Sequence, residues 1–326
     1  MDATSNNRTR SSRWTRDPVL DDGKAVVVYP TERDIELFKL LARYRYLPSD
    51  YIHAFLGGNP KALARRLNLL SRKPNLYLSR PPQQRDNASA NHRPLIYELD
   101  ERAVRVLRER GASLPAKGSS RYFAHELMVS QITASFELGT KEHAHIRLIP
   151  WSEIIASEHT PNATRESPSP ASIPVTFLLR GEQVSFNLAA DAQPFGLERA
   201  IAGKRTYFFF PGIEADCGTE PLEASDADRA SIAKKFAAYT AIAEQGIFRT
   251  HFGFPNFFVP FITSTSVRMC SMMRLLERMA GESGSKLFLF KTFPAFTSFD
   301  PPPKAGGRML SEPWLRVGHP PLLMTF

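Results

Sequence analysis

Two cysteines in 326 residues, Cys217 and Cys270, are too few for a disulfide framework, and without a CxxC pair or paired histidines they exclude a structural zinc site. Nowhere does the chain carry the ~20 consecutive apolar residues of a membrane span. Residues 1–14 are polar and dotted with arginine, without the apolar stretch of a secretion signal. A glycine-rich phosphate loop, a serine-histidine triad and a redox cysteine pair are missing as well, which leaves nucleotide hydrolysis, acyl transfer and thiol chemistry without support. No internal repeat is evident. The expectation is a soluble protein of a reducing cytoplasm.

What is present is a length sufficient for two domains with cores of their own, and a strongly uneven charge. Residues 1–124 hold 23 Lys+Arg against 13 Asp+Glu, whereas the remainder holds 19 against 20, so the whole basic excess of the +9 chain lies in its first two-fifths. A cationic module joined to a neutral one predicts that the front end meets a polyanion.

Residues 1–24 are rich in Ser, Thr, Asn and Arg and read as a disordered basic arm, with Arg8, Arg10, Arg13 and Arg16. Thr31-Glu32-Arg33-Asp34 is a capping-box variant that opens a helix carrying Ile35, Leu37, Phe38, Leu41 and Tyr44. Pro48-Ser49-Asp50 opens a second helix, ended by Gly57-Gly58. In Asn59–Arg72, Leu63, Leu67 and Leu70 form one stripe while Lys61, Arg65, Asn68 and Arg72 form another on the opposite face. A helix that buries leucines and displays cations and an amide suits a DNA reader: cations meet phosphates, an amide or guanidinium meets base edges. Residues 75–79 and 94–99 alternate like two strands around a basic tip that includes Arg80, Arg85, His92 and Arg93. Residues 25–112 therefore read as a winged helix-turn-helix, with Arg66 and Lys61 at the groove's rim and Arg80, Arg85 and Arg93 toward phosphates.

Residues 113–120 form a Gly/Ser/Pro/Lys linker. From 121 to 300, a long helix over 122–139 precedes strands at 146–150, 175–179, 184–189, 206–213, 257–262 and 286–292, interleaved with helices over 226–245 and 266–280. That order predicts an α/β domain with a covered sheet, for an α+β chain overall. The tail from Pro301 reads as irregular and proline-rich. The phenylalanines of 248–261 suit buried strand surface or an exposed interaction patch, and His125 and His251 read as isolated.

Three carboxylates fall at strand ends, Asp191, Glu214 and Asp216, with Lys234, Lys235 and Tyr239 on the helix that follows. Carboxylates from neighbouring strands beside a lysine form one kind of magnesium site, where the ion polarises a scissile phosphate and orients water. The same residues would equally cap helices, pair with lysines or face solvent.

Thr31-Glu-Arg-Asp-Ile, Arg43-Tyr-Arg-Tyr-Leu47, Ala64-Arg-Arg-Leu67, Tyr97-Glu-Leu99, the stretch Phe210–Leu222 with its Glu-x-Asp-x-Gly-Thr-Glu, and Lys235-Phe-Ala-Ala-Tyr239 together resemble the replication-relaxation proteins of bacterial plasmids and integrative elements. The resemblance implies a winged helix fused to a restriction-endonuclease-like domain, with Asp191, Glu214 and Asp216 as metal ligands and Lys235 as the catalytic lysine. In the PD-(D/E)XK pattern a lysine follows two residues after the second strand's acid. Asp216 occupies that slot here, and Lys235 would replace it from the helix.

Two functions follow as expectations. One is a DNA-binding accessory protein of plasmid or mobile-element replication, which needs no cofactor and takes double-stranded DNA, replication or mobilisation proteins and a second copy of itself as expected partners. The other is a magnesium-dependent nuclease or nickase.

Overall fold

The computed structural model describes residues 26–86, 93–112, 122–226, 229–294, 296 and 303–326. The basic arm at 1–24, the linker at 113–120 and His92 of the tip lie outside the described residues. Chain contacts divide the protein into two compact units, Met1–Gly118 and Ser119–Phe326.

The first unit begins with α1 (Glu32–Tyr44), whose start is fixed by the reciprocal bonds of a capping box: Thr31 Oγ1 accepts from the Asp34 amide, and Asp34 Oδ2 accepts from the Thr31 amide at 2.7 Å. β1 (Leu47–Pro48) leads into α2 (Ser49–Leu56), which stops at Gly57 with φ 63°, a conformation glycine adopts without a Cβ penalty. α3 (Pro60–Leu70) follows; Asn59 Oδ1 accepts from the Lys61 and Ala62 amides, and Pro60 supplies a preset first turn. β2 (Leu78–Ser79) and β3 (Ile96–Leu99) join β1 in an antiparallel sheet of order β1-β3-β2. A short 3-10 turn, Pro82–Asp86, lies between β2 and β3, and α4 (Glu101–Glu109) closes the unit. The leucine stripe of α3 is buried at Leu63, Leu67 and Leu70, as are Ile35, Phe38 and Leu41 of α1, Tyr97 of β3 and Leu107 of α4.

The second unit opens with α5 (Phe123–Glu142), then β4 (Ile146–Ile149), α6 (Trp151–Ala156), α7 (Asn162–Arg165), β5 (Ile173–Leu179), β6 (Glu182–Leu188), β7 (Phe195–Ile201) and β8 (Lys204–Phe210). β9 (Glu214–Asp216), α8 (Ile232–Glu244), α9 (Ile247–Phe252), β10 (Val259–Thr263), α10 (Ser266–Ala280) and β11 (Phe288–Thr292) follow. The chain ends with α11 (Arg308–Ser311), β12 (Trp314–Arg316) and β13 (His319–Leu322).

β9, β10 and β11 are parallel, β12 pairs antiparallel with β11, and β13 pairs antiparallel with β12, giving the order β13-β12-β11-β10-β9. β4-β7-β8 form an antiparallel sheet and β5-β6 a hairpin, so the chain is α+β rather than uniformly alternating. One face of the five-stranded sheet packs Phe261, Phe288 and Phe290 against Phe236 and Tyr239 of α8 and Met272 and Leu275 of α10. The other packs Ala215, Ile262 and Leu289 against Met128, Ile132 and Phe136 of α5, with Phe208 and Phe210 of β8.

Two sequence expectations are corrected, on β7 and on the tail. β7 is a strand that the pattern hid, because Gly196 and the pair Glu198-Arg199 interrupt its apolar alternation. It is nonetheless the middle strand of its sheet, and a Cβ on Gly196 would stand 3.0 Å from the Phe209 ring. The tail is ordered into α11, β12 and β13. Its prolines, Pro320 and Pro321, sit on an edge strand, where no ladder donor is needed. Of the two readings of the phenylalanines of 248–261, the buried one holds: Phe248, Phe252, Phe254, Phe257 and Phe261 are all buried.

Trp314 explains why the tail folds. Its indole is buried, stacks on Phe136 at 5.9 Å and donates to the Met309 carbonyl at 2.8 Å. Lys291 Nζ lies 4.4 Å from the indole ring and donates to the Arg308 and Glu312 carbonyls. Backbone approaches backbone nearby, since a Cβ on Gly307 would lie 2.3 Å from Gly139 Cα. Trp314→Ala removes this anchor and should destabilise the second unit by about 3–5 kcal/mol, read as a lowered urea midpoint; an unchanged midpoint would mean that the tail contributes little.

Candidate functional site

Two groups of residues carry the functional expectations, one in each unit. In the first, α3 presents Lys61 and Arg65 to solvent, with Asn68 and Arg72 half-buried further along. Arg66 is turned away from that face. Its Nε and Nη2 donate to both oxygens of Asp34 at 3.1 and 2.6 Å, and Nη2 donates also to the Tyr29 carbonyl at 2.7 Å. Burial alone would raise the Asp34 carboxyl, but the bonds from Arg66 and Thr31 outweigh it and hold the group below its usual range.

Arg80 crosses from the end of β2 to α3, donating from Nη2 to Asn68 Oδ1 at 2.8 Å, and its guanidinium lies over the Tyr97 ring at 5.4 Å. Arg93 is buried, whereas Arg85 on the 3-10 turn is exposed. Of the eight residues expected at DNA, then, Lys61, Arg65 and Arg85 reach the surface most fully, and Arg66, Arg80 and Arg93 are built into the unit. Sequence spacing misses this division because Asp34 and Tyr97 come from other elements.

In the second unit, strand alternation decides where the carboxylates point. β9 pairs with β10 so that Glu214 stands beside Phe261 and Asp216 beside Thr263, which places both acids on the face covered by α8 and α10. Ala215 points the other way, into the α5 layer. Glu214 and Asp216 are only 2% and 6% exposed, so each needs a partner.

Glu214 Oε1 accepts from the Tyr239 hydroxyl at 2.6 Å, and Lys235 Nζ stands 2.9 Å from Oε2 without aligning a hydrogen bond on it. Both partners come from one face of α8, at i and i+4. Lys235 Nζ also lies 2.9 Å from Glu220 Oε2. Asp216 is held by different residues: Arg268 of α10 reaches both its oxygens, at 3.0 and 3.3 Å, and the Thr263 hydroxyl donates at 2.8 Å. Arg268 Nη2 donates further to the Glu220 carbonyl, so Glu220 joins the two halves of the centre.

Asp191 completes it from the loop after β6. Its amide donates to the Ile213 carbonyl and its Oδ2 accepts from the Ala215 amide at 2.8 Å, so this one residue bonds the free edge of β9 as a neighbouring strand would. Room for that loop depends on Gly212 at φ 139°, where a Cβ would stand 2.4 Å from the Ala192 carbonyl oxygen. His125 of α5 is not isolated, as its sequence context suggested. Its Nε2 lies 3.3 Å from Asp191 Oδ2. His251 is a structural residue, its ring set between Thr164 and the Pro170 carbonyl.

The charges of this centre act on one another. Burial pushes Glu214 up to about 7, with Lys235 opposing and Asp191 adding to the rise. Burial would lower Lys235, but the charges of Glu214, Asp191 and Glu220 outweigh it and hold its ammonium well above the ordinary range. Asp191 is itself lowered, since the bond from His125 and the charge of Lys235 overcome its burial.

Asp191, Glu214 and Lys235 are therefore brought together, while Asp216 is drawn to Arg268. Among the described residues, no three His, Cys, Asp or Glu side chains are placed to hold a metal ion. Sequence reasoning missed His125, Glu220, Arg268 and Thr263, of which only Glu220 carried a signal, as the last acid of the Glu-x-Asp-x-Gly-Thr-Glu stretch.

These observations define a class: a mixed α+β protein with a cation-bearing helical unit and, in its second unit, an acidic edge strand roofed by two helices. Within that class, the family model described as replication-relaxation matches residues 38–256, and the chain belongs to this family. No curated protein and no solved structure matches it. No helix among the described residues is long and apolar enough to cross a membrane.

The His125–Asp191 pair gives a pH signature. The bond from Asp191 raises His125 above its ordinary value of 6.5, so the stability it contributes is complete below that pH and is lost as pH rises through the folded value. The difference in thermal midpoint between wild type and His125→Asn should accordingly narrow as pH rises from 6.5 through the raised folded value. A difference independent of pH would show that the pair contributes through packing alone.

Proposed function

We propose that the chain is a DNA-binding accessory protein of plasmid or mobile-element replication and DNA relaxation, whose first unit is a winged helix that sets α3 in the major groove of duplex DNA. The observation that carries this reading is the outward face of α3: Lys61 and Arg65 are exposed on a helix whose Leu63, Leu67 and Leu70 are buried. Family membership supports the replication setting.

In this reading Lys61, at the first turn of α3, meets a phosphate, and Arg65, one turn further on, offers a guanidinium fork that matches the acceptor pair of a guanine edge. Asn68 follows, its amide oriented by Arg80. Arg85 on the turn between β2 and β3 lies along the backbone as a wing contact. Arg66 and Arg80 serve by holding α3 against α1 and β3. DNA binding of this kind needs no cofactor.

The alternative of a magnesium-dependent nickase draws on one observation, the gathering of Asp191, Glu214 and Glu220 about Lys235. Against it stands Asp216, whose two oxygens are held by Arg268 and Thr263.

Fluorescence anisotropy with a labelled duplex library tests the proposal. Arg65→Ala should weaken binding to the preferred duplex by about 1–3 kcal/mol and relax its base preference, and Lys61→Ala should weaken all duplexes alike and lower the salt slope by about 1. Wild-type protein that binds no duplex at low salt, or both variants binding as wild type does, would overturn it. Nicking of supercoiled plasmid that needs magnesium and is lost in Glu214→Gln would move the alternative ahead.

A further inference from the structure

The acidic centre of the second unit is more completely neutralised than a metal site allows. A magnesium ion takes about six oxygens in a near-octahedral shell and competes with any cation that shares its carboxylates. Here two of the three carboxylates that the sequence pattern assigns to one ion are divided between two helices. Asp216 is engaged by a guanidinium on both oxygens and by a hydroxyl, and Glu214 by a tyrosine and an ammonium.

The meeting point of the remaining acids is also occupied. Lys235 Nζ lies 2.9 Å from Glu214 Oε2 and 2.9 Å from Glu220 Oε2, and the charge of Asp191 acts on it as well. Two buried carboxylate oxygens in this centre, Glu214 Oε2 and Glu220 Oε1, accept no hydrogen bond. Such oxygens have spare coordination capacity facing a cation, and the cation at hand is the side chain of α8.

We propose that Lys235 is a resident substitute for a divalent ion: its ammonium occupies the point between Glu214 and Glu220, Arg268 closes Asp216, and the second unit keeps its acidic strand folded without metal. The proposal stands whether or not the first unit binds DNA. It has a positive corollary. Removing the ammonium leaves two carboxylates, Glu214 and Glu220, facing an empty point, and that point then takes a hard divalent cation that keeps most of its water ligands.

The test uses the full chain, with manganese and magnesium chloride as probes and calorimetry and thermal unfolding as readouts. Wild type should release no binding heat with either ion and should unfold at the same temperature in EDTA as in excess magnesium. Lys235→Met, which keeps the stem and removes the charge, should unfold at a lower temperature in EDTA and recover by several degrees in manganese. Adding Glu214→Gln to that variant should abolish the recovery.

Stoichiometric binding of either ion to wild type, lost in Glu214→Gln, would overturn the proposal. So would a folded Lys235→Met variant indifferent to both ions. Where Lys235→Met is unfolded in EDTA, refolding on addition of manganese, followed by circular dichroism, supports the substitution. Failure to refold, while the doubly neutralised Glu214→Gln/Lys235→Met chain folds, counts against it.

Discussion

Two acids separated by one residue on a strand must point to the same side, and in β9 that side is roofed by helices. This constraint organises the second unit. An unpaired buried carboxylate costs several kcal/mol, so burying Glu214 and Asp216 is possible only if each arrives with donors and a countercharge. α8 supplies Tyr239 and Lys235 to the first, and α10 supplies Arg268 to the second. The apolar contacts of Phe236, Met272 and Leu275 with Phe261, Phe288 and Phe290 provide the cohesion of that face. The polar contacts specify where along the sheet each helix may sit, since sliding α8 by one turn would carry one of Tyr239 and Lys235 out of reach of Glu214.

A comparable economy governs the first unit. Its basic excess suggests a surface of cations, yet several arginines hold the fold together. Arg66 binds Asp34 at the start of α1, and Arg102 lies over the Tyr77 ring at 4.6 Å while donating to the Pro74 and Asn75 carbonyls. Arg110 forms a forked pair with Glu32 at the surface. An arginine can fill such positions because its planar fork satisfies two acceptors while its stem lies on apolar or aromatic surface. The cations left outward on α3 are therefore a selected few, which is why position on the helix says more about DNA than the charge total does.

Legibility in the sequence followed the range of the interaction. The limits of α1, α3 and α10 could be read closely because capping side chains act within three residues and apolar periodicity acts within one helix. Ser266–Ala280 was anticipated end to end. β7, β12 and β13 could not be read this way, since their residues become strand only against partners far along the chain: β7 against β4 and β8, and Trp314 against Phe136. The candidate site divides similarly. Residue type and strand-end position singled out Asp191, Glu214, Asp216 and Lys235, but their sorting into two groups depended on Arg268, His125 and Thr263, whose nearness to them is set by tertiary packing.

The identity of residue 216 shows how closely these levels are linked. A lysine in that slot would share the face of Glu214 and bring its own countercharge from two residues away, leaving α10 without an electrostatic role. An aspartate there reverses the requirement: a cation must now come from α10, and a second must come from α8 for Glu214. Glu220 binds both arrivals, its side chain to Lys235 and its carbonyl to Arg268. The loop that follows β9 is thereby tied to the same two helices that roof the strand. A single residue in a three-residue edge strand thus determines which helices carry charge into the interior, and the Glu-x-Asp-x-Gly-Thr-Glu stretch reads physically as one unit: two acids that need cations, a turn at Gly218 with φ 85°, and a third acid placed to hold those cations in position.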